Sequence, residues 1–292
     1  MNNIYILFKI LWNIHLSNRN NLSNAIELLS QLKKDSIFKE FYIFNSIKST
    51  QDLALKIIKR KKKISPTIII SNIQTSGRGR KGAKWASPEG GIWTSLVFET
   101  HLKIEQSFIF IMISAICICE SIENNTGLKA DLKWPNDIFV NGKKIAGILL
   151  NLETNMNDLC NQVIIGIGIN TNNNIDFLPN MLDSHIHYQI TSLKKELDNK
   201  IISNMKLLSE IINKLEINLI DMQDCINSTR IFNKYKIRII QSKNTLNYVF
   251  KYNNIIVNGE LIDVNQDGTL LVRDHLQQKN IIISSVNEVE LK

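Results

Sequence analysis

Apolar positions along the chain switch between two periods, and the switches mark out the elements. After Leu22, the residues Ile26, Leu28, Leu29 and Leu32 recur at helical spacing, whereas the apolar stretch from Phe41 to Ile47 suits a strand. Ser49-Thr50-Gln51-Asp52 places a hydroxyl cap and a first-turn acid ahead of Leu53, Leu55, Ile57 and Ile58. A second helix therefore starts there, and it ends in the basic run 59–63, whose cations complement the helix dipole. The β-branched run from Thr67 to Ile73 predicts a buried strand, and Ile92 to Phe98 another. A long apolar helix follows from about Gln106 to Asn124, then strands near Leu132, at Ile138 to Val140, at Lys144 to Leu152 and at Gln162 to Ile169. The Asn-rich stretch 171–189 reads as an exposed loop, and helical periodicity returns from Lys200 to about Ile226.

After Arg230 the texture changes to short alternating segments around Ile237, Val249, Ile255 to Ile262, Leu270 to Val272 and Ile281 to Ile283. Asn258-Gly259 and Asp267-Gly268 are dipeptides that favour hairpin turns, so this end predicts a small all-β barrel or sandwich. The order of elements predicts an α+β protein with a short extension at 1–20, a larger mixed unit at 21–230 and an all-β unit at 231–292.

Composition narrows the class only a little. The 292 residues carry 35 Lys+Arg against 27 Asp+Glu, a formal net charge of +8, with 44% hydrophobic residues. That suits a folded chain able to bury a core, and excludes a disordered one. Asn, Ile and Lys are all in excess, so the basic balance is weak evidence for a polyanionic partner. Cys117, Cys119, Cys160 and Cys225 form no C-x-x-C pair and read as small buried hydrophobes in a reducing compartment. The apolar stretch from Ile4 to Leu16 lacks a basic leader, and the run from Phe108 to Cys119 falls short of the roughly 18 residues of a membrane span. The expectation is a cytoplasmic protein outside the membrane.

Three segments are poor recipes for plain structure. Gly77-Arg78-Gly79-Arg80-Lys81-Gly82, followed by Lys84 and Trp85, interleaves glycines with cations and can close over a phosphate or carboxylate. Its glycines make order costly, so mobility until an anion binds is expected. Lys133-Trp134-Pro135-Asn136-Asp137 combines a cation, an apolar ring, a fixed φ, an amide and a carboxylate. Asn141-Gly142 then turns the chain back, so Asp137 and Lys144 can face one another across a hairpin. Gly166-Ile167-Gly168-Ile169-Asn170 ends an apolar strand with small residues that let backbone approach a ligand.

These segments, with Ser49-Thr50 before them and Lys144-Ile145-Ala146-Gly147-Ile148-Leu149 among them, resemble the biotin-protein ligase family from about residue 22 onward. The resemblance implies a class II synthetase-like catalytic domain with a mixed sheet, followed by a small SH3-like β-barrel. It implies a two-step enzyme, a biotin-[acetyl-CoA-carboxylase] ligase. Biotin and MgATP give biotinyl-5′-adenylate, and the biotinyl group then passes to one lysine of a biotin carboxyl carrier protein. ATP, Mg²⁺ and biotin are the implied small molecules, and a monomer or weak homodimer the implied state.

By the same resemblance Lys144, Arg78 and Asp137 are catalytic, with Lys144 bridging the biotin carboxylate and the α-phosphate. Ser49, Thr50, Gln74, Gly77, Arg78, Arg80, Trp85 and Lys144 would hold biotin. Arg80, Asn136, Asp137 and Asn170 would serve the nucleotide, and Asp137 its Mg²⁺. Many bacterial members carry a DNA-binding winged helix ahead of this region, and about 20 residues before the first helix leave no room for one, so no specific DNA partner is expected. The stretch Ile190-Thr191-Ser192-Leu193 offers no adenine-stacking aromatic, and Ser284-Ser285 stands where relatives often have glycines. A lipoate-protein ligase and a nucleic-acid-binding regulator are the alternatives. His185 and His187 lack a nearby third ligand and read as loop residues.

Overall fold

The computed structural model describes residues 13–17, 21–60, 64–154, 160–176, 189–221, 225–242, 249–252, 255–284 and 289–290. His185, His187 and Ser285 lie outside them, as does most of the 1–20 extension.

Strands β1 (Asn13–Leu16), β2 (Glu40–Ile47), β3 (Thr67–Gln74), β4 (Ile92–Glu99), β5 (Asp131–Lys133), β6 (Asp137–Val140), β7 (Lys143–Thr154) and β8 (Cys160–Ile169) form one sheet. It has eight strands in the order β1-β2-β3-β4-β8-β7-β6-β5. β1–β2 and β2–β3 pair in parallel and the rest antiparallel, so the sheet is mixed, as the α+β reading expects. Among the described residues six α-helices accompany the strands: α1 (Leu22–Gln31), α2 (Thr50–Arg60), α3 (Phe108–Thr126), α4 (Leu193–Glu196), α5 (Asn204–Asp221) and α6 (Cys225–Ser242). β1, which the sequence leaves unassigned, is an edge strand on β2.

Strand alternation decides which side chains meet which helices. Ile68 and Ile70, Leu96 and Phe98, and Ile165 and Ile167 point to the large core beneath α1, α3, α5 and α6. Ile69, Val97 and Ile164, one residue out of step, pack with Ala54, Ile57 and Ile58 of α2 in a smaller cluster on the opposite face. α3 is long and apolar enough to cross a bilayer by composition, but it is the core helix here, with Phe110 through Cys119 almost entirely buried. Cys117 and Cys119 sit within it, and burial pushes both thiols up to about 12, in keeping with an inert role.

Beyond α6 come two three-stranded sheets. One joins β10 (Ile255–Val257), β9 (Val249–Tyr252) and β14 (Val289–Glu290); the other joins β11 (Gly259–Val264), β12 (Leu270–Asp274) and β13 (Lys279–Ile283). Two expectations need correction. The segment around Ile237 is helix, because α6 runs unbroken through residue 230 to Ser242, with Ile231, Tyr235 and Ile239 at helical spacing in the core. The change from helices to strands thus falls between 242 and 249. Asn258-Gly259 is not a hairpin turn but the step from one small sheet to the other, where a Cβ on Gly259 would lie 2.6 Å from the Arg273 carbonyl. Asp267-Gly268 does turn a hairpin, between β11 and β12, with Gly268 at φ +82°.

Candidate active site

On the α2 face, the sheet side chains shrink along the strands. Val97 and Ile164 give way to Ser95 and Gly166, then to Gly168, with Gly147 and Leu149 beside them on β7. Small residues there leave a recess beside the N-terminus of α2. It is a cavity of about 530 Å³ roofed by the Arg78–Trp85 loop and walled by Trp134, Pro135, Asn136, Asp137 and Lys144.

One end is a neutral hydrogen-bonding cluster. Ser49 caps α2, accepting from the Asp52 amide at 3.3 Å. Thr50 donates its backbone N–H to Gln74 Oε1 at 2.8 Å, its hydroxyl reaches the same oxygen at 3.1 Å, and Gln74 donates to Ser87 at 2.8 Å. Ser95 Oγ lies 2.8 Å from both Thr50 Oγ1 and Gln51 Oε1, while Gln51 donates to Asn151 at 2.9 Å. Sequence reasoning passes over Gln51, Ser87, Ser95 and Asn151. The one available signal is that Thr94-Ser95 interrupts an otherwise apolar strand.

The other end is charged. The turn at Asn141 (φ +50°) and Gly142 (φ +72°) folds β7 back on β6 and brings Lys144 Nζ to 2.6 Å from Asp137 Oδ2. This is no surface pair, since the Lys144 side chain is 9% exposed and that of Asp137 20%. Glu196 fixes the hairpin, accepting from Asn141 at 2.7 Å, Lys143 at 3.1 Å and Thr191 at 2.5 Å. Burial pushes its carboxyl up, but these donors outweigh burial and hold it below the usual range. Asn136 donates to the Ile148 carbonyl at 2.6 Å and accepts from Arg80 at 3.0 Å.

The Gly-Arg loop is tied by hydrogen bonds within itself and to its surroundings. The Gly79 amide donates to the Ala83 carbonyl at 2.7 Å, the Ala83 amide to the Arg80 carbonyl at 2.9 Å, and the Trp85 amide to the Gly77 carbonyl at 3.0 Å. Arg78 pairs with Asp52 at 2.5 Å and Arg80 with Asn136, so the arginines have partners without an anion, contrary to expectation. Lys81 and Gly82 take positive φ to make the turn.

Ser49, Thr50, Gln74, Arg78, Arg80, Trp85, Asn136, Asp137 and Lys144 all line the cavity. Gly77 sits just behind it, where a Cβ would lie 2.3 Å from the Trp85 carbonyl, so its smallness serves loop closure. Asn170 is not a wall residue: it is buried at the end of β8, accepting from Asn173 at 3.0 Å. The strand glycines serve side chains. Gly168 makes room for the Trp85 indole, 2.6 Å from where a Cβ would stand, and Gly166 for Gln51 at the same distance. Trp85 lies across Gly147 and Gly168 with Lys144 Nζ 5.3 Å from its ring centroid, and its buried indole nitrogen has no hydrogen-bond partner. Among the described residues no group of three or more His, Cys, Asp or Glu side chains could hold a metal ion. Asp137 is bonded to Lys144.

Residues 43–170 match the model of the biotin/lipoate A/B protein ligase family. The bifunctional ligase/repressor BirA of Bacillus subtilis is 31% identical over 169 residues, which are 58% of this chain and 50% of that protein. The biotin--[acetyl-CoA-carboxylase] ligase of Paracoccus denitrificans is 32% identical over 104 residues, 35% of this chain and 43% of the relative. The matches thus span half or less of these curated relatives. Among solved structures, the biotin protein ligase of Aquifex aeolicus in complex with biotin and ATP superposes with a TM-score of 0.68 at 23% identity, covering 87% of this chain and 100% of that one. That likeness speaks for the fold. Every cavity-lining residue falls within 43–170, the stretch of this chain that matches the biotin/lipoate A/B protein ligase family model.

Proposed function

We propose that the chain is a biotin-[acetyl-CoA-carboxylase] ligase: it activates biotin with MgATP to biotinyl-5′-adenylate and transfers the biotinyl group to a lysine of a biotin carboxyl carrier protein in the cytoplasm. The observation that carries this reading is the polarity of the cavity, with neutral donors and acceptors at Thr50, Gln74 and Ser95 and cations at Lys144, Arg78 and Arg80. A ureido ring needs two acceptors for its N–H groups and a donor for its carbonyl, which suits the first end. A carboxylate and a triphosphate need cations, which suits the second.

In the first step a biotin carboxylate oxygen bonds to the α-phosphorus and pyrophosphate leaves. The reacting groups are both anions, so their approach is unfavourable until positive charge lies between them. Lys144 supplies it: an ammonium has three donors, so its bond to Asp137 can coexist with bonds to carboxylate and phosphate. Asp137 holds that ammonium in one place beforehand, which removes reorganisation from the reaction. Mg²⁺ enters with the nucleotide as part of the substrate. In the second step a neutral lysine amine attacks the acyl carbon, a proton is lost from nitrogen and AMP departs. Arg80, tied to Asn136 at the loop tip, keeps the mixed anhydride from water between the steps.

In this reading the chain up to about 242 is the class II synthetase-like catalytic domain, and the two small sheets are parts of an SH3-like barrel. Pyrophosphate release with biotin or with lipoate tests the activity. Release with biotin and not with lipoate is expected; the reverse makes the chain a lipoate ligase.

A further inference from the structure

Trp134-Pro135-Asn136-Asp137 presents its front to the cavity, and its back is gripped by parts of the chain outside the family domain. Trp134, buried, donates its indole N–H to the Gly268 carbonyl at 2.7 Å, at the tip of the β11–β12 hairpin. Tyr235 of α6, fully buried, donates its hydroxyl to the Pro135 carbonyl at 2.7 Å. The Phe108 ring meets Tyr235 edge-on at 5.7 Å between centroids and also fills the space beside Gly268. A Cβ on Gly268 would lie 2.3 Å from Phe108 Cδ1, and the φ of +82° disfavours a side chain as well. Asp267 lines a second cavity of about 310 Å³ whose walls Arg80, Pro135 and Ile148 are shared with the first. Hairpin, α6 and catalytic loop therefore meet directly behind the charged end of the site.

The chain between these grips and the cavity has little slack. Pro135 has a fixed φ, and Asn136 is held on both sides by Arg80 and the Ile148 carbonyl. Whatever moves Trp134 or the Pro135 carbonyl must move Asn136 and Asp137. The Thr50, Gln74 and Ser95 cluster rests instead on α2, β3 and β4, and shares no hydrogen bond with the gripped segment among those above.

We propose that Gly268 and Tyr235 are positioning residues for adenylation: the C-terminal hairpin and α6 set the placement of Asn136 and Asp137, and through Asp137 that of Lys144, without touching the biotin-recognising end. This rests on the adenylation reading above and adds to it a working role for the last fifty residues. A shift of about 1 Å at a reacting group costs on the order of a hundredfold in rate, so a small displacement suffices.

The test uses the full chain as wild type, Gly268→Ala and Tyr235→Phe, the second keeping the ring and its contact with Phe108. Three quantities are read: the Kd for biotin without nucleotide, the KM for MgATP with the kcat of pyrophosphate release, and the Tm. The expected result is biotin affinity within about twofold of wild type, and kcat/KM for MgATP lowered about tenfold or more in both variants, with Gly268→Ala the larger effect. Equal losses at both ends of the site would mean a merely structural role and overturn the proposal, as would unchanged nucleotide kinetics in Tyr235→Phe. If Gly268→Ala does not fold, Tyr235→Phe decides alone. A wild-type chain that binds biotin yet releases no pyrophosphate sinks the adenylation reading itself, and is distinguishable from either outcome above.

Discussion

Removing Lys144 should have two separable effects, one on stability and one on chemistry. Lys144→Ala leaves the Asp137 carboxylate, only 20% exposed, without the ammonium 2.6 Å away. Breaking a fully buried pair costs roughly 3–5 kcal/mol, so with partial access to water about 2 kcal/mol is expected here. For a chain of this size that lowers Tm by about 4–8 °C. The loss of a preorganised cation at the reacting anions should lower kcat/KM for adenylation by at least ~10³, about 4 kcal/mol in transition-state terms. Asp137→Asn in the Lys144→Ala background separates the two: an amide has no charge to leave unpaired, so Tm should recover while adenylation stays lost. Lys144→Arg should rescue only weakly, since a planar fork does not fit where a compact ammonium sits between Asp137 and the Trp85 ring. Pyrophosphate release and thermal melts on the same preparations read both quantities. Lys144→Ala turning over within about tenfold of wild type would refute the reasoning, as would a double variant that regains activity together with Tm.

Other expectations follow from single contacts. Gly168→Ala puts a methyl 2.6 Å from the Trp85 indole nitrogen, so the ring should be expelled and the tryptophan emission should shift to the red without ligand; an unchanged spectrum would show that the ring does not lie on the strand. Arg80→Gly removes the bond to Asn136 that closes the loop, so adenylate should still form but escape, labelling lysines of bystander proteins, and strict carrier selectivity in this variant would contradict that role. Burial pushes the Glu123 carboxyl up, yet the two hydrogen bonds from Arg238 outweigh it and hold the group below its ordinary 4.5. Its contribution to stability is therefore present above that value and is lost as pH falls through the lower folded value, so Glu123→Gln should lower Tm at neutral pH and lose its effect in strong acid. A Tm difference that grows on acidification would reverse the sign of this argument.

Why some of this was legible in the sequence and some not has a physical basis. The sheet and its helices follow from periodicity, and the Asn141-Gly142 turn folds Lys144 back within reach of Asp137, because that dipeptide tolerates positive φ at both positions. Asn258-Gly259 misleads for the complementary reason: a permissive dipeptide also serves where backbones must pass closely, as Gly259 does beside Arg273. Ile237 misleads because α6 carries lysines and arginines between its apolar residues, which mimics alternation until Ile231, Tyr235 and Ile239 are seen to share a face. The glycines of β7 and β8 announce close approach but not what approaches, and here it is Trp85 and Gln51. The polar chain through Ser95, Gln51 and Asn151 joins residues about fifty to a hundred positions apart, beyond any local pattern. The partners of Arg78 and Arg80, Asp52 and Asn136, also lie outside any local pattern, so a loop that reads as mobile has its arginines paired within the chain.

The central claim is that one cavity joins biotin to ATP and hands the product to a protein lysine. Its most direct measurement is the intact mass of a biotin carboxyl carrier domain after incubation with this chain, biotin and MgATP, with lipoate replacing biotin in a parallel reaction. The account predicts one biotinyl group per carrier, mapped by proteolysis to a single lysine, abolished by Lys144→Ala, and no lipoyl adduct. A carrier left unmodified by active, folded chain, or modified by lipoate in preference to biotin, would contradict it.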